Sequence, residues 1–126
     1  MPDHQHMQDT VERYVAGFTA GDAEAIAALF AADATVEDPV GSEPKRGIDE
    51  IAAFYRDAVS TGAQLRLDGP VRSAHDTAAF AFSIGIGGEP PQRLHVIDTF
   101  RFDEDGKVVE MRAVWGAASI IPDDAT

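Results

Sequence analysis

The chain has 126 residues, 44% of them hydrophobic and 25% charged, with a formal net charge of −12, figures that fit one globular domain spanning 1–126. The acidic surplus repels the phosphates of nucleic acid and the anionic face of membranes, and no run approaches the ~20 apolar residues of a membrane span. Cysteine is absent, which excludes disulfides and thiol chemistry.

The opening run Met1-Pro2-Asp3-His4-Gln5-His6 lacks the basic and apolar segments of a signal peptide, which predicts a cytoplasmic address and a loose tail. Val11, Tyr14, Val15 and Phe18 then recur at i, i+3, i+4 and i+7, one face of a helix. Gly21-Asp22 ends it, and Asp22 reads as the N-cap of a second helix that turns Ile26, Leu29 and Phe30 inward. Ala34 to Asp38 reads as a short strand stopped by Pro39, and Val40 to Gly47 as a loop. A third helix carries a stripe of Ile48, Ile51, Phe54, Tyr55, Ala58 and Val59.

From Ala63 onward the period changes to two. Ala63–Leu67 and Val71–Ala74 read as strands around a Gly69-Pro70 break, and Ala78–Ile86 places Phe80, Phe82, Ile84 and Ile86 on one face. After a turn at Gly87–Pro91, the residues Leu94, Val96, Asp98, Phe100 and Phe102 share a face. Asp105-Gly106 marks a hairpin, Val109, Met111, Ala113 and Trp115 line one face of the last strand, and the tail from Pro122 is expected to fray. Helices followed by a meander predict an α+β domain, with about three N-terminal helices on a strongly curved, mostly antiparallel mixed sheet. Such a cone can hold an apolar pocket at its mouth.

Asp98 is the anomaly in this pattern. Its parity puts a carboxyl among apolar side chains, whereas Arg93 and Arg101 have the opposite parity. Either Asp98 is neutral, with a raised pKa and a proton to donate, or it sits at a twisted edge and reaches water or a backbone amide. Tyr14 and Tyr55 place hydroxyls on apolar stripes, as structural tyrosines do and as buried donors do. Asp38, before Pro39, is an ordinary turn residue or a general base at the pocket rim. A base, a phenol and a neutral carboxylic acid facing one apolar cavity would meet the needs of enolisation: one group takes an α-proton while two donors hold the enolate oxygen. His4, His6, His75 and His95 form no ligand set at usual metal spacing, and Gly85, Gly87 and Gly88 precede Pro90 rather than a phosphate-binding helix.

The segment Ala31-Ala32-Asp33-Ala34-Thr35-Val36-Glu37-Asp38-Pro39-Val40-Gly41-Ser42-Glu43-Pro44 resembles the bacterial steroid Δ5-3-ketoisomerases of the NTF2-like superfamily. Arg13-Tyr14-Val15-Ala16, Ala79-Phe80-Ala81-Phe82, Ile97-Asp98 with Phe100-Arg101-Phe102, and Gly106 through Ala113 resemble them too. The resemblance implies a steroid substrate and Asp38 as the base that carries a proton from C4 to C6. It implies Tyr14 and a protonated Asp98 as the oxyanion hole for the C3 oxygen, the arrangement for which ketosteroid isomerases are known. It implies Tyr55 as a partner for Tyr14, and Phe54, Phe82, Phe100, Met111, Ala113 and Trp115 as the apolar wall, with Trp115 at the mouth beside Asp38. It also implies a homodimer that needs no cofactor and no metal. The chain departs from the family at Thr99, where a His is common, and at Phe30, where some relatives carry a further tyrosine. Two other classes remain open on the same cone: a cyclase or hydratase acting on another hydrophobic ketone, and a non-catalytic module that binds apolar ligands.

Overall fold

The structure, a computed structural model, describes residues 2–123. Helix α1 (His4–Ala20) is capped by Asp3, whose Oδ1 accepts the His6 N–H at 2.9 Å. Met7 continues the apolar stripe one turn back from Val11, and Met7, Val11, Tyr14 and Phe18 are all buried. His4 and His6, expected in a loose tail, are therefore helical. Gly21 closes the helix at φ 65°, a left-handed position where its N–H returns to the carbonyls of Gly17 and Phe18. Asp22 then caps α2 (Ala23–Ala27) through the Ala25 N–H at 3.1 Å.

Helix α2 is shorter than its periodicity predicts. Phe30, expected on its inner face, instead opens β1 (Phe30–Glu37) and pairs with Val108 of β7 (Val108–Val114). The Val108 N–H also bonds the Leu29 carbonyl at 3.0 Å. Sheet pairing overrides local helix preference here, and Phe30 is buried as a strand residue.

Gly17 faces Ile26 where α1 packs on α2, and a Cβ at Gly17 would lie 2.4 Å from Ile26 Cγ1. Gly17→Ala is expected to destabilise the fold by about 1–3 kcal/mol through overpacking. A lowered urea midpoint is the readout, and an unchanged midpoint would mean that the two helices yield freely.

The remaining elements are β2 (Lys45–Arg46), α3 (Ile48–Ser60), β3 (Leu65–Leu67), β4 (Arg72–Ala74), β5 (Thr77–Gly87), β6 (Gln92–Phe102), a 3-10 turn (Ala117–Ser119) and β8 (Ile120–Pro122). Among the described residues eight strands form one sheet in the order β2-β1-β7-β6-β5-β3, with β4 also on β5 and β8 also on β6. The β1–β7 pairing is parallel and the others are antiparallel. The expected loop Val40 to Gly47 thus contains a short strand. Pro122, where the tail is expected to begin fraying, pairs with Gln92 of β6; residues 124–126 of that expected tail lie outside the described residues.

The sheet and helices enclose one core. From the sheet come Val36, Phe80, Phe82, Val96, Phe100, Phe102, Met111 and Ala113; from the helices come Val11, Tyr14, Phe18, Ile51 and Tyr55. Two expectations of parity fail at the ends of strands. Arg101 pairs with Glu110 but Phe102 with Val108, so β7 fits one extra residue at Val109. Val108 is consequently buried and Val109 only half-buried. Ile86, expected on the inner face, is 47% exposed, where the β5–β6 register shifts between Gly85 and Gly87.

Candidate active site

Asp98 lies on the inner face of β6 between Val96 and Phe100, and is 1% exposed. Its cross-strand partners are Phe80 on β5 and Ala113 on β7. Neither carboxyl oxygen has a hydrogen-bond partner among the described residues. Burial raises its pKa well above the ordinary carboxylate value, and the charge of Asp38 adds to the effect. An ionised carboxylate there would forfeit its hydration with nothing in return, so the neutral acid is the stable form. That form carries an O–H with nothing to receive it.

Tyr14 reaches this place from α1. Its ring centroid lies 5.2 Å from that of Phe100 and 6.1 Å from that of Phe80, the two aromatic neighbours of Asp98. Tyr14 Oη is 3.1 Å from Tyr55 Oη, which comes from α3. Burial, first of all, raises both phenols well above their ordinary pKa. Both therefore keep their protons. The pair uses one O–H internally and has one left to give. Phe30 packs against Tyr55 with ring centroids 5.6 Å apart, so that side of the phenol pair meets hydrocarbon.

Asp38 follows the last residue of β1. Val36 pairs with Met111 and Glu37 with Arg112, so the next step of the parallel ladder sets Asp38 alongside Ala113. Ala113 then has Asp38 on one side and Asp98 on the other. Two strand spacings separate the two acidic residues, roughly 10 Å between backbones. Between them stands the small, buried side chain of Ala113. Asp38 is half-buried, and its Oδ1 accepts the Trp115 indole N–H at 2.7 Å. Burial raises the Asp38 pKa, and the Trp115 bond pulls it back by stabilising the charged form. Of the two carboxyls, Asp38 is the more readily ionised, because Asp98 has no donor to offset its deeper burial.

Trp115→Phe removes that donor while retaining most of the ring. The Asp38 pKa should rise, so any activity that needs its carboxylate should fall away at higher pH on the acid side than in the wild type. The kcat/KM–pH profile is the measurement; an acid limb that stays put or moves down shows that the indole does not hold the carboxylate.

Phe82, Phe100, Met111 and Ala113 are buried beside these groups, while Phe54 and Trp115 are half-buried. Phe80 joins these residues although the resemblance does not imply it. It stacks on Phe82 at 5.8 Å, touches Tyr14 and pairs with Asp98; its shared parity with Phe82 is the signal that points to it. A groove of about 720 Å³ between α1, α2 and the β6–β7 turn, lined by residues such as His6, Arg13, Gly17 and Lys107, contains none of Tyr14, Asp38 or Asp98. Among the described residues no group of three or more His, Asp or Glu side chains is placed to hold a metal ion, and no helix is long and apolar enough to cross a membrane.

The pattern of the SnoaL-like domain family matches residues 11–111. The chain is 37% identical over 113 residues to the steroid Δ-isomerase of Nocardioides simplex, covering 88% of this chain and 90% of that protein. It is 33% identical over 123 residues to the epoxide hydrolase LasB of Streptomyces lasalocidi, covering 92% of this chain but 43% of that longer protein. Among solved structures it is similar to SalBIII, an epoxide hydrolase/cyclase-like enzyme with a role in pyran ring formation in the polyether salinomycin. That similarity has a TM-score of 0.86 at 25% identity and covers 97% of this chain and 99% of the other. These relatives are enzymes of more than one chemistry on one architecture. Both the family pattern and the near full-length likeness to an isomerase place the chain in the SnoaL-like family of NTF2-like domains.

Proposed function

We propose that the chain is a steroid Δ-isomerase that converts 3-oxo-Δ5-steroids into their conjugated 3-oxo-Δ4 isomers. The observation that carries this reading is the buried Asp98 carboxyl, without a partner for either oxygen, near a Tyr14–Tyr55 phenol pair that also has a proton to give. Two donors focused on one apolar spot suit an oxygen on which negative charge develops. The 37% identity to a steroid Δ-isomerase supports the same substrate class.

In this reading the Asp38 carboxylate removes a proton from C4. The C4–H electrons form a C3–C4 double bond, and the C3 carbonyl becomes a dienolate oxygen. Tyr14 and protonated Asp98 donate hydrogen bonds to that oxygen, and Tyr55 orients Tyr14. The Asp38 acid then delivers its proton to C6; the C5–C6 double bond moves to C4–C5, the carbonyl re-forms and the base is restored. Nothing is consumed, so the reaction needs no cofactor. Phe54, Phe82, Phe100, Met111 and Trp115 serve as the apolar wall, and Ala113 as the floor under the A ring. Asp98 and Tyr14 are 1% and 3% exposed, so admission of a steroid requires the side chains around them to part.

The test is to mix purified protein with 5-androstene-3,17-dione and follow the ultraviolet absorbance of the conjugated enone. A protein-dependent rise is the expected result; folded protein with no rise above the buffer rate rejects the reading. A second reading, acid–base catalysis on a small cyclic ketone or an epoxide, is favoured by the likeness to LasB and SalBIII. It would be preferred if steroids are inert while such a substrate turns over in an Asp38-dependent way.

A further inference from the structure

The turn that presents Asp38 is tied down from the opposite face of the sheet. Glu37, one residue earlier, points away from the core. Its Oε2 accepts the Gly41 N–H at 2.8 Å and its Oε1 accepts the Arg112 Nε–H at 2.9 Å. These bonds hold the Glu37 carboxyl below the usual carboxylate range, the Gly41 amide contributing most. Arg112 is the ladder partner of Glu37, and the residue after it, Ala113, accepts the Val40 N–H at 2.8 Å. Ser42 closes the turn onto the Pro39 carbonyl through its N–H at 3.0 Å and its hydroxyl at 2.6 Å. The segment Asp38–Gly41 is thus fixed to β7 by a backbone bond at Val40 and by the Glu37 clamp at Gly41.

We infer that Glu37 is a positioning residue for Asp38, rather than a surface ion-pair partner alone. The inference rests on the proposed role of Asp38 as base and adds the group that sets its aim. Exposed ion pairs contribute little to stability by themselves. This one joins the two ends of the turn, Glu37 and Gly41, to Arg112 of β7, and a carboxylate displaced by about 1 Å can cost on the order of 10²-fold in rate. Glu37→Ala leaves the Gly41 N–H and Arg112 without this acceptor. Glu37→Gln keeps one carbonyl oxygen and so satisfies one of the two donors, because its amide nitrogen cannot accept.

Two readouts separate the positioning role from the function assigned to Asp38. Trp115 is the chain's single tryptophan, and its indole N–H donates to Asp38. Its one Nε1–H resonance in a nitrogen–proton correlation spectrum therefore reports where Asp38 sits and when it titrates, with no substrate present. In Glu37→Ala this resonance should move and its titration midpoint change, whereas Glu110→Ala, which breaks the Arg101–Glu110 pair at 3.5 Å on the same outer face, should leave it unchanged. In the steroid assay Glu37→Ala should lose about tenfold or more in kcat with KM within about twofold, and Glu37→Gln should fall between it and the wild type. An unmoved indole resonance with wild-type kcat in both Glu37 variants overturns the inference. A moved resonance in a protein whose wild type turns over no steroid upholds the clamp and rejects the isomerase reading instead. Should Glu37→Ala fail to fold, the Gln variant decides by the same two measurements.

Discussion

Asp38→Asn should lower kcat for steroid isomerisation by about 10⁴-fold, toward the upper end of what a positioned base supplies. The substitution is close to isosteric. The amide oxygen can still accept the Trp115 N–H that now reaches Oδ1 at 2.7 Å, so the turn and the wall should keep their places. What disappears is the acceptor for the C4 proton. Tyr14 and Asp98 are untouched, so steroid affinity should change by less than about tenfold. It should tighten for phenolic mimics of the dienolate, because the Asp38 charge is felt at Asp98 and neutralising it removes a repulsion on a bound oxyanion. Equilibrium binding and kcat measured on the same preparation make the test. A variant retaining a tenth or more of wild-type kcat would place the base elsewhere and sink the mechanism.

Asp98→Leu should lose roughly 10²–10³-fold in kcat and yet be the more stable protein. The rate loss is that of one oxyanion donor, and Tyr14→Phe should lose a comparable amount because it removes the other. The stability change follows from the sign of the pKa shift. Folded Asp98 holds its proton well above the ordinary carboxylate value, whereas the unfolded chain releases it near pH 3.9. Folding then takes up a proton above that pH. The wild type accordingly loses stability as pH rises from about 4 toward the raised folded value, and the leucine variant lacks this dependence. At pH 7 the variant should exceed the wild type by about 1–3 kcal/mol, the cost of a buried polar group without partners. Urea midpoints of both proteins at pH 4 and pH 7 give the comparison. A wild type that gains on the variant as pH rises would mean an ionised, paired Asp98, and the acid-donor role would be lost.

At Asp98 activity and stability move in opposite directions, as expected when a site keeps a group its fold would do without. A partnerless acid in the core is a standing cost, and a ligand oxygen is what would relieve it.

The α+β class and the inner face of the long strands were legible in the sequence, because β6 alternates without a break from Val96 to Phe102 and β5 does so from Thr77 to Phe82, before Ser83 is buried out of turn. Asp98 stood out for that reason: a carboxyl on an apolar parity is visible without coordinates. What was illegible depended on partners far along the chain. Phe30 fits the helical spacing of Ile26 and Leu29, and only its pairing with Val108 makes it a strand residue. Val109 fits the parity of Met111, and only the bulge opposite Arg101 and Phe102 turns it aside. β2 and β8 are two and three residues long, too short to carry a period. The Trp115 bond to Asp38 joins residues 77 apart. Parity brought the indole toward the pocket mouth, but the direction of its N–H is a matter of side-chain rotamer, on which periodicity is silent.

The parallel pairing of β1 with β7 has a consequence for the order of assembly. Parallel neighbours finish at the same end of a sheet, which is why Asp38 and Trp115 emerge together although most of the domain separates them in sequence. During synthesis the first strand must wait for nearly all the remaining chain before it gains this neighbour, and such distant closures are slow. The helices and the central hairpin can gather earlier, but the proposed base and its Trp115 donor come together only once β7 is in place, so on the proposed mechanism turnover should report a late step of folding.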